Sequence, residues 1–151
     1  MSAKPEAGIE VKGAQKAASD LLDVGKRGRD VRPTRDRVRR IYLKSNERHL
    51  SSPGWPALSP ETIARKTAQG LPSQPERATG ALLASLTEQR SKGQINRASK
   101  SKMVFGSRLF YAPWQHGTKH QPKRLLIDLT PADRKQICSV LSRYVSSGYV
   151  T

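Results

Sequence analysis

The sequence predicts an α+β domain in which helices from the two ends of the chain pack on a small, mainly antiparallel sheet. Segments with helical apolar spacing lie in the first third and at the end of the chain, and two short runs with the composition of strands lie between them. The 151 residues suffice for one ordinary domain and are too few for two comfortable ones. We therefore expect a single folding unit.

Two helices are predicted in the first third of the chain. In the run GIEVKGAQKAASDLLDV, residues 8–24, the apolar residues have loosely helical spacing, and Gly25 follows as a natural stop. The Arg-rich run that comes next predicts a helix over about residues 34–49 with a narrow apolar stripe. The apolar residues of this stripe fall at i, i+3 and i+4: Val38, Ile41 and Tyr42.

The middle of the chain, residues 51–74, is rich in Pro, Gly and Ser, which predicts loops and short helices. Ser59 followed by Pro60 has the pattern of an N-cap and a first helical residue, so a short helix is expected to begin there and to end near Gly70. A second short helix is predicted over residues 79–85, in the run ATGALLASL.

Two strands around a polar link are predicted next, over about residues 86–90 and 102–107. The link KGQINRASK between them is expected to be mobile. The last element is a helix over residues 131–146, because Thr130 supplies an N-cap, Asp133 completes a capping box and apolar residues follow at helical spacing.

The single predicted domain covers residues 31–146. Residues 1–30 are expected to form an arm or a weak helix that could become ordered only against neighbouring subunits, and residues 147–151 a short tail. An apolar share of 35% and a charged share of 26% agree with a chain in which one part lacks a core of its own.

The chain is strongly basic, with a formal net charge of +16 from 28 Lys and Arg against 12 Asp and Glu. This charge favours contact with polyanions, either nucleic acid or acidic protein surfaces. The single cysteine, Cys138, excludes an intramolecular disulfide and a cysteine-based zinc site, and its place beside Ile137 predicts a buried, inert thiol. No signal sequence or long apolar run is visible, so neither secretion nor membrane spanning is expected.

Candidate catalytic residues are few. His116 and His120 are four residues apart, a spacing that suits zinc in a metallohydrolase, but Gly117 and Pro122 interrupt the helix that this geometry needs. No phosphate-binding loop, nucleophile elbow or pair of catalytic carboxylates is visible. We therefore predict no catalytic residues, no metal, no cofactor and no enzymatic activity.

Nucleic-acid binding is the alternative that the sequence leaves open. Arginines are dense between residues 27 and 40, and on a helix Arg32, Arg35 and Arg39 would lie along one side, either as a phosphate-binding face or as an ordinary solvated face. No zinc finger, RRM signature or convincing helix-turn-helix accompanies them. Binding would therefore be independent of base sequence and sensitive to salt.

Three runs in order, GWPALSPETIARK, ATGALLASLT and VFGSRLFYAPWQHGT, resemble the phage virion morphogenesis, or tail completion, family of tailed phages. We call these the motif runs. Their matching residues are Trp55, Leu58, Ser59, Pro60 and Thr62, then Thr79, Gly80, Leu82, Ser85 and Leu86, then Gly106, Tyr111, Ala112, Gln115, His116 and Gly117. The resemblance covers about two-thirds of the chain, from residue 50 to residue 146.

This resemblance implies a structural protein of the virion, a tail completion or head-tail joining subunit that forms a homo-oligomeric ring like those of phage necks and tail terminators. Its implied location is the head-tail interface or tail end of the virion, after assembly in the host cytoplasm. Its implied partners are other neck or tail proteins, with packaged DNA as a further contact and no membrane. The candidate DNA- or partner-facing residues are Arg32, Arg35, Arg39, Lys119, Lys123 and Arg124.

The third motif run and the residues after it are expected to form a structural joint. Residues 111–115 are predicted to form a short helical turn that stops at Gly117, followed by an exposed basic loop over residues 119–124 and an edge run over residues 125–127. Both tryptophans, Trp55 and Trp114, are expected to anchor packing rather than to stack on a ligand, and a subunit contact is one expected place for Trp114.

Overall fold

A computed structural model describes residues 13–51, 54–75, 79–117, 119 and 122–150, without the side chain of His116. Within these residues the chain forms five α-helices and a two-stranded antiparallel sheet, which confirms the α+β class. The helices are α1 (Ala14–Gly28), α2 (Arg35–Ser51), α3 (Pro60–Ala68), α4 (Ala81–Thr87) and α5 (Pro131–Ser147), and the strands are β1 (Gln94–Ala98) and β2 (Met103–Ser107). Short 3₁₀ helices precede α2 and follow β2, at Arg32–Thr34 and Ala112–His116.

Helix α2 is central because it contributes to two hydrophobic clusters. The α5-side cluster contains Val38, Ile41 and Val140, with Met103, Phe105 and Ile137 packed against it. The α4-side cluster contains Leu50, Leu82, Leu86, Ala112 and Leu126, with Trp55, Leu83, Leu109, Tyr111 and Ile127 packed against it. The predicted stripe is buried on the α5 side, where Tyr42 stacks on Phe105, but the buried face of α2 is wider than predicted and reaches the α4-side cluster through Leu50.

Helix α1 does not end where the sequence predicted, since it continues through Gly25 to Gly28. The reason is tertiary: Arg27 Nε and Nη2 donate hydrogen bonds to the carbonyls of Val145 and Ser146, at 2.8 and 3.0 Å. A cation at the last carbonyls of a helix is favourable, and one internal glycine costs only about 1 kcal/mol relative to alanine. Of the predicted range, residues 8–12 lie outside the described residues.

The short helices α3 and α4 confirm the two predicted in the middle of the chain. Ser59 Oγ accepts a hydrogen bond from the backbone N–H of Thr62 at 3.3 Å, as an N-cap should. Helix α3 ends at Ala68, and Gly70 follows with a φ of 65°. Helix α4 begins after Gly80, whose φ of 74° suits glycine.

The first predicted strand, over residues 86–90, is wrong. Leu86 and Thr87 end helix α4, where Leu86 lies one turn after Leu82 on the buried face, and residues 88–90 form a turn. The strand that pairs with β2 is β1, which lies inside the link that was expected to be mobile. Its residues pair in register from Gln94 opposite Ser107 to Ala98 opposite Met103.

The hairpin formed by β1 and β2 packs against α2 through aromatic stacking. The rings of Phe105 on β2 and Tyr42 on α2 are stacked, with centroids 5.4 Å apart. At the turn, the backbone N–H of Ser99 donates to the carbonyl of Lys102 at 2.7 Å. The second predicted strand is confirmed, because β2 covers residues 103–107.

Helix α5 begins at the predicted residue, ends one residue after the predicted end, and has the predicted capping box, in which Thr130 and Asp133 exchange hydrogen bonds. The prediction for Cys138 is wrong, because its thiol is exposed. The inward-facing residues of α5, Asp133, Ile137, Val140 and Tyr144, fall three or four apart, and Cys138 lies outside this face.

Candidate functional site

The three motif runs converge on one open groove of about 1010 Å³, which we call the motif groove. It lies between α3, the start of α4 and the segment that follows β2. The motif residues that line it are Leu58, Ser59, Thr62, Thr79, Leu82, Tyr111 and Gln115. Runs that are far apart in the sequence thus form one surface, and the cations Arg65, Lys66 and Arg124 also line it.

Motif residues also form much of the core. Leu86, Ala112 and the groove residue Leu82 belong to the α4-side cluster, and Trp55 packs against it. Ser85 is fully buried; its Oγ donates to the Leu82 carbonyl at 2.7 Å and also hydrogen bonds with the hydroxyl of Ser107 at 2.8 Å. The bond to Ser107 connects α4 to the end of β2.

Trp55 packs against the α4-side cluster, which agrees with its predicted packing role, and it also makes a polar contact. Its Nε1 and His49 Nε2 lie 3.2 and 2.7 Å from the carbonyl oxygen of Leu125, which accepts from both. Leu126 next to it is 3% exposed. The predicted edge run over residues 125–127 is therefore wrong: the segment has no strand pairing and is held by side chains of α2 and of the loop after it.

The end of the third motif run forms a closed turn. The 3₁₀ helix Ala112–His116 confirms the predicted helical turn, and the N–H of Arg124 donates to the Gln115 carbonyl at 2.7 Å. Lys119 and Lys123 are exposed as predicted, but Arg124 is only 7% exposed. The predicted exposed loop is therefore wrong at Arg124, which is buried and lines the motif groove.

Gly117→Ala is expected to lower the free energy of unfolding by about 1–3 kcal/mol. The φ of Gly117 is 99°, and a Cβ there would lie 3.2 Å from Lys123 Cβ and 3.3 Å from its Cα. Thermal or chemical unfolding measures this loss. Gly25→Ala is the matched control: it lies within a helix with open space around its Cβ position, so a gain of about 0.5–1 kcal/mol is expected. Equal effects of the two substitutions would contradict the described turn.

An exposed aromatic pair follows β2. Phe110 and Trp114 are 77% and 54% exposed, and their rings meet edge to face with centroids 5.7 Å apart. Within a single chain, Trp114 therefore contributes little to the packing of the core. Its predicted place at a subunit contact stays a prediction, and the exposed rings make this pair a candidate contact surface.

The arginines singled out in the sequence are engaged with carboxylates. Arg32 lies 2.6 Å from Asp30, and Arg35 and Arg39 lie 3.4 and 3.3 Å from Asp36. The hydrogen bonds from Arg32 lower the pKa of Asp30 to about 2. Arg32 also lies in the 3₁₀ turn before α2, so the three arginines do not form one helical face.

A different set of cations shares one groove, about 540 Å³ in volume, between α2 and α5. We call it the cationic groove, and its lining consists of Arg37, Arg40, Ile41, Lys44, Arg48, Ala132, Asp133 and Gln136. The sequence held a signal for it, because the four cations recur every three or four residues along α2. The sequence alone does not distinguish these cations from the neighbouring Arg32, Arg35 and Arg39, which form ion pairs with Asp30 and Asp36 in the structure.

Asp133 lies at the end of the cationic groove and is buried. Its Oδ2 accepts hydrogen bonds from Thr130 Oγ1 at 2.6 Å and from Ser45 Oγ at 2.8 Å, and its Oδ1 accepts from Arg48. The hydrogen bonds from Thr130 first, then those from Ser45 and Arg48, lower the pKa of Asp133 to about 2. This carboxylate links α2 to the start of α5.

The described residues contain no group of three or more His, Cys, Asp or Glu side chains that could hold a metal ion. His120 and the side chain of His116 lie outside the described residues, so the proposed pair of imidazoles has no described geometry. Among the described helices, none is long and apolar enough to cross a membrane.

Comparisons of the chain with protein-family models, with curated proteins and with solved structures find no match. The resemblance to tail completion proteins therefore depends on the motif runs alone.

Proposed function

We propose that this protein is a structural subunit of a tailed phage that acts in tail completion or at the head-tail joint, where its copies form a ring. The observation that carries the proposal is the convergence of the three motif runs: their residues build one core cluster and one groove of a single domain. A shared set of packing residues is what a common architecture requires, so the runs are more than three separate helix starts and turns.

Two different surfaces of the chain support assembly into a ring. The Phe110–Trp114 pair projects apolar area into solvent. Elsewhere, an apolar pocket of about 380 Å³ is lined by residues that include Leu50, Trp55 and Leu83. When a projecting patch on one copy meets a different, concave patch on the next, the contact is head-to-tail, and such contacts close into rings when the rotation between copies permits.

In this role the protein is located at the neck or the tail end of the virion, after assembly in the host cytoplasm, and contacts other neck or tail proteins. It acts through shape and surface complementarity. Burial of the aromatic pair between copies removes apolar area from water, which stabilises the ring by roughly 25 cal/mol per Å².

The double variant Phe110→Ala, Trp114→Ala is expected to abolish ring formation while leaving the fold intact, because both rings are mostly exposed within one chain. Mass photometry and electron microscopy of the 16.7 kDa protein, alone and with neck or tail components, measure the assembly state. Tyr149→Ala is the matched control: it removes an aromatic ring that is 70% exposed and lies outside both surfaces, so rings should persist. Absence of the protein from purified virions and tails would overturn the proposed function.

The second candidate function is a small basic protein that binds nucleic acid independently of base sequence. The net charge of +16 and the presence of several cations in one groove favour it. It differs from the first in a measurable way, since it requires neither a ring nor a place in the virion.

A further inference from the structure

We infer that the cationic groove between α2 and α5 is a binding surface for the phosphodiester backbone of duplex DNA. This inference goes beyond the assembly role and does not depend on ring formation. It also replaces the arginines chosen from the sequence with a different set, and it gives the nucleic-acid alternative a defined surface.

The geometry of the groove suits an extended polyanion. Its four cations stand at positions 37, 40, 44 and 48 of one helix, so their Cα atoms recur along one side of α2. At 1.5 Å per residue this row extends over about 16 Å. Duplex DNA rises 3.4 Å per base pair, so the row matches roughly five base pairs of one strand. A small anion would occupy only a part of it.

The charge of the groove is largely uncompensated. Its only carboxylate in the described lining is Asp133, which pairs with Arg48 and is already saturated by Thr130 and Ser45. Among the described residues, no carboxylate lies within ion-pair distance of Arg37, Arg40 or Lys44. The lining therefore has a net charge of +3 at neutral pH.

Three of the four cations of this groove are arginines. Arg37 Nε is buried without a hydrogen-bond partner among the described residues, so Arg37 would contact an anion through the outer N–H groups of its guanidinium. A guanidinium presents its N–H groups in a planar fork that fits phosphate oxygens, so Arg37 and Arg40 have the chemistry for backbone contacts.

The rest of the lining predicts backbone contacts without base recognition. Ile41, Ala132 and Gln136 offer no aromatic ring on which a base could stack, and the cations lie in a groove between helices rather than on a projecting recognition helix. The net charge of +16 on the whole chain adds long-range attraction to a polyanion. Duplex DNA is favoured over an acidic protein surface because its charges are regularly spaced over the length of the row.

The test is the salt dependence of binding to a short fluorescent duplex, measured by anisotropy between about 50 and 200 mM salt. The groove variant is Arg37→Gln, Arg40→Gln, Lys44→Gln. Its matched control, Lys26→Gln, Arg32→Gln, Arg35→Gln, removes the same charge from cations that are paired with carboxylates. We expect the groove variant to flatten the slope of log K against log salt by roughly 3 and to weaken binding at low salt at least tenfold, with the control close to wild type.

Because Arg37 is half-buried, its substitution could disturb folding, so a second pair of variants leaves Arg37 unchanged. Arg40→Gln, Lys44→Gln changes exposed side chains only, and Arg32→Gln, Arg35→Gln is its control; the slope should flatten by roughly 2 in the first alone. Equal losses in groove variant and control would overturn the inference, since net charge would then explain the binding. Absence of DNA binding by wild type at low salt would also overturn it, as would equally tight binding of polyglutamate, which would assign the groove to acidic proteins.

Discussion

Leu86→Ala is expected to lower the free energy of unfolding by about 3–5 kcal/mol. Leu86 is 1% exposed, the most deeply buried apolar side chain of the α4-side cluster. Its removal leaves a cavity among Leu50, Leu82 and Leu126, which come from distant parts of the chain, so collapse around the cavity is limited. The carbonyl of residue 86 still accepts from Asn46 Nδ2, at 3.1 Å in the wild type, because that bond uses the backbone.

Chemical denaturation with urea measures this loss, and Leu22→Ala is its control. Leu22 is 67% exposed on α1, so the same truncation there should change the free energy of unfolding by less than about 0.5 kcal/mol. A loss below about 1 kcal/mol for Leu86→Ala would contradict the packing of this cluster. Since Leu86 lies in the second motif run, a large loss would also show that the motif residues serve the fold.

The elements that the sequence predicted well are those specified by local signals. Ser59 before Pro60 and Thr130 before Asp133 are caps that act within one turn, and both helices begin where these residues place them. The strand β1 could not be predicted in this way. Its residues QINRA are mostly polar, and it forms because β2 pairs with it, which is a contact between separate segments.

In the candidate site, too, local patterns could be predicted from the sequence, whereas contacts between distant segments could not. The motif runs were visible as short patterns, but their convergence on one groove depends on how α3, α4 and the segment after β2 pack. The paired state of Arg32, Arg35 and Arg39 and the burial of Arg124 depend on partners that spacing does not reveal. The cationic groove needs α5 as its second wall, and α5 begins 80 residues after the end of α2 in the sequence.

The surfaces proposed for assembly and for DNA are formed by different residues. The aromatic pair and the apolar pocket involve the segment after β2 and the α4-side cluster, whereas the cationic groove is formed by α2 and α5. A ring could therefore present its cationic grooves without using them for contacts between copies. Variants in the two surfaces should consequently separate assembly from DNA binding.

Asp133→Asn is expected to lower the free energy of unfolding at neutral pH by about 2–3 kcal/mol, because a buried charged acceptor loses its strong hydrogen bonds and Arg48 loses its counter-charge. Asp128→Asn changes an exposed carboxylate close by and should have an effect below about 0.5 kcal/mol. Unfolding curves of the two variants at pH 7 give the comparison. Equal stabilities would contradict the described link between α2 and α5.

Asp133 should also make the stability of the folded protein depend on pH in a definite direction. Hydrogen bonding lowers the pKa of Asp133 in the folded state to about 2, from an ordinary value of 3.8. A depressed folded pKa means that the unfolded chain binds the proton more readily, so the contribution is complete above the unfolded value and is lost as pH falls toward 2. Wild type should therefore lose stability between about pH 4 and pH 2 more steeply than Asp133→Asn. Asp30, whose pKa is also lowered to about 2, remains in both proteins, so the difference between their pH profiles isolates Asp133.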